Sequence, residues 1–386
     1  MTKVFLHIGT RKSGTSYLQK ALRDSVPALA EQGVELTFKT RKGHVERQLA
    51  PLKHMLATGD AGPAQASMRR MVARIKAKPD MRHLITLEDL AELPQSVADL
   101  YLEALREFDT ELVVTVRNWG STIPSEWQQC VKERFTGTYR DFVAAIADRT
   151  PEADQFLMRQ DLPTLIQRWS GTLDPGKVHV IAVPPTSRTE GTLVELFCGL
   201  VGIDPASLRM PKGRINASIS LDQAELLRRV NIALGDRLPF ENGYQTGIRE
   251  WLTRGTLMKR AESSIRIPEE FGDWCVRAAR EQYDGIVALG VDLVGDPEDL
   301  VPGKVATGPA EVSDPEVLAT AVVALADLGE LQWKEQQELR RAQEGREAAR
   351  KEVVRLRGEL AELRKTAPAS GGRADLRARL RSLRAR

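Results

Sequence analysis

Apolar and polar positions along the first half of the chain alternate between short apolar runs and helical patterns. The runs are rich in β-branched residues and fall at 3–8, 82–87, 110–117 and 177–183. Strands separated by helices are typical of a parallel sheet that helices cover on both faces. The pattern therefore predicts an α/β fold, a parallel β-sheet sandwiched by helices, with ligands bound beyond the carboxyl ends of the strands.

Beyond about residue 215 the strand pattern disappears, and residues 215–295 show helical patterns. We interpret them as a helical extension of the same domain, which then spans residues 1–295. Residues 296–314 are rich in Pro, Gly and acidic residues, which is typical of a linker.

A heptad pattern follows within residues 315–365. Its apolar members are separated by alternating steps of three and four residues: Leu325, Leu328, Leu339, Ala342, Ala349, Val353, Leu356, Leu360 and Leu363. Polar residues Gln332, Glu335 and Arg346 interrupt the seam. We therefore expect a weak coiled coil, and a homodimer formed through it.

The charge of the chain is nearly balanced, with 56 Lys and Arg against 53 Asp and Glu. This balance gives no reason to expect a nucleic-acid partner. Much of the positive excess lies in an Arg-rich tail at 366–386. Such a run is most often a flexible, solvated tail, and the alternative is a peripheral contact with an anionic membrane or polymer.

Cysteine usage and the start of the chain bear on the cellular compartment. The three cysteines, Cys130, Cys198 and Cys275, are widely spaced and form no C-x-x-C pair, so neither a disulfide framework nor a metal site is expected. The first residues lack the apolar stretch of a secretory signal. We expect a cytoplasmic protein.

The segment 9–16, after the first predicted strand, has the composition of an anion-binding loop. It combines glycines, hydroxyl side chains and Lys12, and it opens into a predicted helix whose N-terminus favours anions. An ATP or GTP loop would place its lysine directly after the second glycine. Here Thr15 stands in that position and Lys12 comes two residues before Gly14, which disfavours an NTPase.

Lys12-Ser13-Gly14-Thr15-Ser16 resembles the 5′-phosphosulfate loop of the sulfotransferase family, whose core is Lys-[Ser/Thr]-Gly-Thr-[Ser/Thr]. The wider segment 7–19 is similar to bacterial members. Thr10-Arg11 departs from the proline that commonly precedes the lysine, and Arg11 adds a second cation. The resemblance implies the P-loop-like sulfotransferase fold and a donor, 3′-phosphoadenosine 5′-phosphosulfate.

A second segment, after the strand that ends at Val116, supports the same resemblance. Arg117 and Ser125 have the spacing of the family's 3′-phosphate element, an arginine at a strand end and a serine eight residues later. Arginine offers phosphate a bidentate fork, and a helix N-terminus adds amides. Trp119 departs from the proline that family members often carry there.

A third match is Lys212-Gly213-Arg214, where sulfotransferases carry a basic loop that closes over the 3′-phosphate. Such triplets are also common in ordinary surface loops. The resemblance as a whole covers roughly residues 3–230.

The resemblance assigns a role to each residue of the loop. Lys12 would contact the bridging and sulfuryl oxygens, and Gly14, Thr15 and Ser16 would cradle the 5′-phosphate. Ser13 would hold Lys12 back until the acceptor arrives. Cations take the part that a metal ion plays in phosphoryl transfer, and no metal is expected.

The acceptor needs a general base, and Glu88 is our candidate because it follows a strand at the ligand edge. Glycan sulfotransferases often use a glutamate there, but Glu88 and Asp89 would also suit a helix cap. His7 is the rival base, although a histidine inside a buried strand is more often a core residue. His83 and His179 also lie in predicted strands.

The function implied by the resemblance is sulfuryl transfer to a hydroxyl or amine. The acceptor is expected to be a small molecule, or a glycan or glycolipid, by analogy with the family alone. Two alternatives stay open: a P-loop nucleotide kinase or NTPase, and a catalytically degenerate sulfotransferase-like scaffold.

Overall fold

The apolar runs of the sequence form a parallel sheet in the computed structural model, which describes residues 1–185, 187–211, 218–260 and 263–365. The strands are β1 (Lys3–Gly9), β2 (Val34–Leu36), β3 (Arg82–Thr86), β4 (Asp109–Val116), β5 (Val178–Ala182), β6 (Ile267–Pro268), β7 (Asp292–Val294) and β8 (Thr307–Gly308). One sheet has the order β2-β3-β1-β4-β5-β7, and every neighbouring pair in it runs parallel. β6 and β8 form a separate parallel pair.

Helices account for most of the remaining described residues. They are α1 (Thr15–Asp24), α2 (Val26–Glu31), α3 (Arg41–His44), α4 (Ala50–Thr58), α5 (Gly62–Lys76), α6 (Gln95–Leu105), α7 (Trp119–Lys132), α8 (Tyr139–Asp148), α9 (Asp154–Gln160), α10 (Leu162–Ser170), α11 (Leu193–Val201), α12 (Leu221–Leu234), α13 (Gly272–Ala288) and α14 (Asp314–Lys365). Two segments, Val45–Leu49 and Phe240–Arg254, are π-helical. No helix in the described part of the chain is long and apolar enough to cross a membrane.

The sheet is buried on both faces, as its nearly continuous apolar strands require. Because side chains alternate along a strand, Leu6 and Ile8 of β1 join one core, which includes residues of α5, α6 and α10. Phe5 joins a second core on the opposite face, with residues of α1 and α11. The prediction of an α/β fold with helices on both faces is confirmed at this level.

The prediction that strands end before residue 215 is wrong. β7 pairs in parallel with β5 through His179↔Asp292, Val180↔Leu293 and Ile181↔Val294, and it completes the sheet. Three residues are too few to show the alternation or the apolar run that identifies a strand in the sequence. β2 is equally short and lies at the opposite edge.

The chain divides into two compact units, Met1–Val322 and Val323–Arg386. The segment predicted as a linker, 296–314, lies in the first unit, where it contributes β8 and the buried side chains of Leu300 and Val305. The second unit is described as far as Lys365 and is helical throughout that part. The Arg-rich tail at 366–386 lies outside the described residues.

Gly9, the last residue of β1, sits where the backbone approaches its neighbours most closely. A Cβ at this position would collide with the side chain of Thr15 and come within 2.6 Å of Thr115 Oγ1. Only hydrogen fits between the end of β1, the start of α1 and β4. Glycine at this position therefore lets α1 begin directly against the sheet edge.

Gly9→Ala should lower the free energy of unfolding by about 1–3 kcal/mol or more, the usual cost of forcing an extra methyl group into a packed site. Gly199→Ala is the matched control, because nothing lies within 4 Å of the added methyl group. In the exposed interior of α11 the control should instead add about 0.5–1 kcal/mol. Urea unfolding of both variants measures the difference, and equal stabilities would refute the close approach.

Candidate functional site

The loop after β1, Glu88 and Arg117 all lie at the carboxyl edge of the sheet. β1 lies between β3 and β4, with His7 opposite Thr86 and Gly9 opposite Thr115. Glu88 comes two residues after Thr86, and Arg117 comes two residues after Thr115. The loop after β1 therefore has Glu88 on one side and Arg117 on the other.

The loop itself takes an unusual backbone path. Lys12 and Gly14 both have a left-handed conformation, with φ of 66° and 80°. The left-handed conformation suits Gly14 but is uncommon for a lysine, and non-glycine residues held in it cluster at functional sites. The Ser13 hydroxyl donates to the Thr10 carbonyl at 2.6 Å and lies 3.1 Å from Thr115 Oγ1.

The turn at Gly14 leads directly into α1 and directs its first amides to the sheet edge. Tyr17 N donates to the Gly14 carbonyl at 3.0 Å, so the helical hydrogen bonds begin with Tyr17. The amides of Thr15 and Ser16 precede it and have no acceptor within the helix. Together with the helix dipole, they form a site suited to an anion.

Lys12 is held by α7. Its Nζ donates to Gln129 Oε1 at 3.0 Å. Burial lowers the pKa of Lys12 below its ordinary value, and Arg11 adds to this, while the carboxylates of Glu126, Glu133 and Glu88 oppose it. Ser13, which we expected to hold Lys12 back, bonds to Thr10 instead, and Gln129 makes the holding contact.

Lys132 brings a second lysine to the same region, and the sequence did not single it out. It lies on α7, one helical turn after Gln129. Burial and, to a smaller extent, the positive charges of Lys12, Arg249 and Arg254 together lower the pKa of Lys132 to about 8. Buried cations that depress one another's pKa are stabilised when an anion binds beside them.

Arg11 takes part in an ion-pair cluster. Its guanidinium lies 3.0 Å from Glu92, 3.1 Å from Glu133 and 3.9 Å from Glu126. Burial by itself lowers the pKa of Arg11, but these carboxylates more than offset it and leave the pKa above its ordinary value. Arg11 thus joins the loop to α7, a contact that competes with the donor-binding role expected from the sequence.

Glu126 is the most deeply buried carboxylate of this cluster. Only 2% of the residue is exposed, and its Oε1 has no hydrogen-bond partner among the described residues. Burial raises the pKa of Glu126, although Arg11, Lys12 and Arg159 oppose the rise. The sequence signal for this face was the spacing of Glu126, Gln129 and Glu133 at three and four residues, which places them on one side of α7.

Glu88 lies at the N-terminus of α1. Its carboxylate accepts hydrogen bonds from the hydroxyls of Thr15 and, at 3.3 Å, Ser16. These are two of the residues expected to cradle a phosphate, so Glu88 supplies the negative charge at the helix end in this structure. The candidate base and the candidate anion site are therefore in direct contact.

Arg117 lies at the end of β4, directly before α7, and is half-buried. It lines a small cavity together with apolar side chains that include Leu162, Ile286 and Leu300. Burial lowers the pKa of Arg117. The same cavity is also lined by the polar residues Asn118, Gln282 and Tyr283. Within the described ranges the Arg117 guanidinium forms no ion pair.

Ser125 lies on α7, two turns after Arg117. Its hydroxyl donates to the Ser121 carbonyl at 3.0 Å and does not reach Arg117 among the described contacts. The α7 N-terminus is capped by Asn118, whose side chain accepts from the Ser121 amide. The third segment that resembles the sulfotransferase family, Lys212-Gly213-Arg214, lies outside the described residues.

The three histidines considered as bases occupy other environments. His7 is fully buried, with Nδ1 2.8 Å from Thr86 Oγ1 and Nε2 3.3 Å from Thr115 Oγ1. Burial lowers the pKa of His7 to about 3. His83 and His179 lie near the amino ends of β3 and β5, and therefore at the end of the sheet away from the Lys12 loop.

Scans against protein-family models, characterised proteins and solved structures find no match to the chain. Among the described residues, no group of three or more His, Cys, Asp and Glu side chains has a metal-binding arrangement.

His7 should make stability depend on pH. Its pKa is near 6.5 in the unfolded chain and about 3 in the folded protein, so between these values the unfolded state binds a proton that the native state does not. Stability is therefore full above about pH 6.5 and falls on acidification, by up to about 1.4 kcal/mol per pH unit from His7. His44, with its pKa also lowered to about 3 by burial, adds to the slope.

Urea unfolding between about pH 7 and pH 5 measures this slope. His7→Asn should reduce this slope. An unaltered slope in His7→Asn would contradict the burial of an uncharged imidazole.

Proposed function

We propose that this chain is a sulfotransferase, which moves the sulfuryl group of 3′-phosphoadenosine 5′-phosphosulfate to a hydroxyl or amine acceptor. One observation carries the proposal. The Lys12 loop and Arg117 follow adjacent strands, β1 and β4, which are in register from Lys3↔Asp109 to Gly9↔Thr115. Two cationic residues that follow neighbouring strands would suit a donor that carries a phosphosulfate and a separate 3′-phosphate.

The loop residues are suited to the phosphosulfate end. The amides at the start of α1 and the hydroxyls of Thr15 and Ser16 would bind the 5′-phosphate. Lys12 would leave Gln129 and contact the bridging oxygen, where negative charge develops as the S–O bond breaks. Lys132, with its pKa lowered to about 8, would add positive charge nearby.

Arg117 is suited to the 3′-phosphate. A half-buried guanidinium that forms no ion pair among the described residues, with its pKa lowered by burial, is stabilised when a dianion forms two hydrogen bonds with it. Ser125 would have to release the Ser121 carbonyl to take part. Arg11 is assigned a positioning role, because Glu92, Glu126 and Glu133 already surround it.

Glu88 links donor binding to catalysis in this proposal. A phosphate at Thr15 and Ser16 would repel the Glu88 carboxylate that now accepts hydrogen bonds from both hydroxyls. Donor binding would turn Glu88 away from α1 and free it to accept the proton of the acceptor. The acceptor oxygen would then form a bond to sulfur while the bisphosphate leaves with the bridging oxygen.

A P-loop kinase or NTPase is the second candidate, and one contact favours it. Glu88 beside the Thr15 and Ser16 hydroxyls is an oxygen set of the kind that Mg²⁺ takes in nucleotide sites. The lysine position argues against it, because Thr15 occupies the position that such loops give to lysine. The two candidates differ in their need for magnesium.

Donor binding is tested by calorimetric titration with 3′-phosphoadenosine 5′-phosphate in the absence of magnesium, with ATP as the comparison. The bisphosphate should bind more tightly than ATP, and Arg117→Ala should weaken it by about 10- to 100-fold, the loss expected for a charge-assisted bidentate contact. Arg106→Ala, at an exposed arginine directly after α6, should leave the affinity unchanged.

The same titration in buffers of different ionisation enthalpy at about pH 8 should show uptake of a fraction of a proton, because the bound anion raises the pKa of Lys132 above its value in the free protein. Tighter binding of magnesium-ATP would instead support the kinase. Bisphosphate affinity that Arg117→Ala leaves intact would remove the basis of the proposal.

Turnover is tested with radiolabelled donor and a panel of carbohydrate and phenolic acceptors. Lys12→Ala should abolish transfer, and Glu88→Gln should lower it by about 100-fold or more, the usual size of a general-base effect. Glu88→Gln should bind the bisphosphate at least as well as wild type, because a repelling charge is gone.

Glu107→Gln, on the exposed surface, is the control for the loss of one carboxylate. Near-normal transfer by Lys12→Ala would overturn the loop assignment. Unchanged turnover in Glu88→Gln would reduce Glu88 to a helix cap.

A further inference from the structure

The distal part of α14 has an uncovered apolar stripe. Large apolar side chains are widely exposed there, among them Leu339 at 59%, Val353 at 47% and Leu356 at 44%. With Ala342, Ala349 and Leu360 they follow the three- and four-residue steps of a heptad seam. We call these six residues the seam. Apolar residues with this period pack against a second helix in a coiled coil.

The charged residues beside the seam indicate what kind of second helix would pack against it. The positions that precede the a residues carry Glu338, Glu352 and Glu359, and the positions that follow the d residues carry Arg350 and Arg357. One flank of the seam is therefore acidic and the other basic. In a coiled coil these are the g and e positions, whose charges select the partner and its direction.

The two possible directions make opposite contacts. In a parallel in-register pair, each g position faces the e position five residues later on the other helix, so Glu352 of one copy meets Arg357 of the other, twice by symmetry. In an antiparallel pair, g faces g and e faces e, which sets glutamate against glutamate and arginine against arginine. The charge pattern complements an identical helix in parallel.

We propose that residues 332–360 of two copies of this chain form a parallel, in-register coiled coil. This inference is independent of the proposed function. Gln332 and Arg346 occupy a positions and Glu335 occupies a d position. In an in-register pair each of these polar side chains faces its own counterpart across the axis, which lowers the affinity. The dimer therefore dissociates on dilution.

Charge reversal on the full-length chain tests the proposal. Analytical ultracentrifugation over a range of concentrations should show the 42.9 kDa chain passing into a dimer. Glu352→Arg alone and Arg357→Glu alone should each raise the dissociation constant by about tenfold, because two attractive pairs become repulsive. The double variant should return it to within about twofold of wild type, because the pairs are restored with their signs exchanged.

Glu344→Arg makes the same change of charge on the outer face of the helix and should leave the dissociation constant unchanged. As an independent measurement, Leu356→Cys should form a disulfide-linked dimer under mild oxidation, because identical d residues meet only in a parallel in-register pair. Lys351→Cys, on the outer face, should not. A chain that stays monomeric, or a double variant that fails to restore the dimer, would overturn the proposal.

Discussion

The close approach at Gly9 is the constraint on which the candidate site depends. Because Gly9 carries no side chain, Thr15 and Thr115 both pack against the end of β1, and α1 begins at the sheet edge. The loop between them must then turn within a few residues, which it does through left-handed Lys12 and Gly14. The direction of the α1 amides, the contact of that helix with Glu88 and the contacts of the loop with α7 follow from this packing.

Charge in the site is balanced from within the protein. The loop and α7 carry charges of both signs, and burial is the largest cause of the lowered pKa values of Lys12 and Lys132. Glu88 and the carboxylates around Arg11 supply negative charge while no ligand is bound. A ligand anion would therefore exchange one set of ion contacts for another, and its affinity would reflect the difference between them.

Much of the architecture was predictable because buried parallel strands appear in the sequence as continuous apolar runs. Once four of those strands were placed, the positions of Glu88, the loop and Arg117 at one edge followed from topology alone. β7 was missed because three residues leave no period to detect. Gln129 and Lys132 were missed because their role depends on which face of α7 meets the loop, and that is decided by tertiary packing.

The left-handed backbone at Lys12 has a consequence for how this chain can change over time. A non-glycine residue in that conformation costs about 1–2 kcal/mol, which glycine would recover. Selection for stability alone would therefore favour glycine over the lysine whose Nζ donates to Gln129. Retention of lysine at this position in related chains would indicate that selection for a role of its side chain outweighs the conformational preference of the backbone.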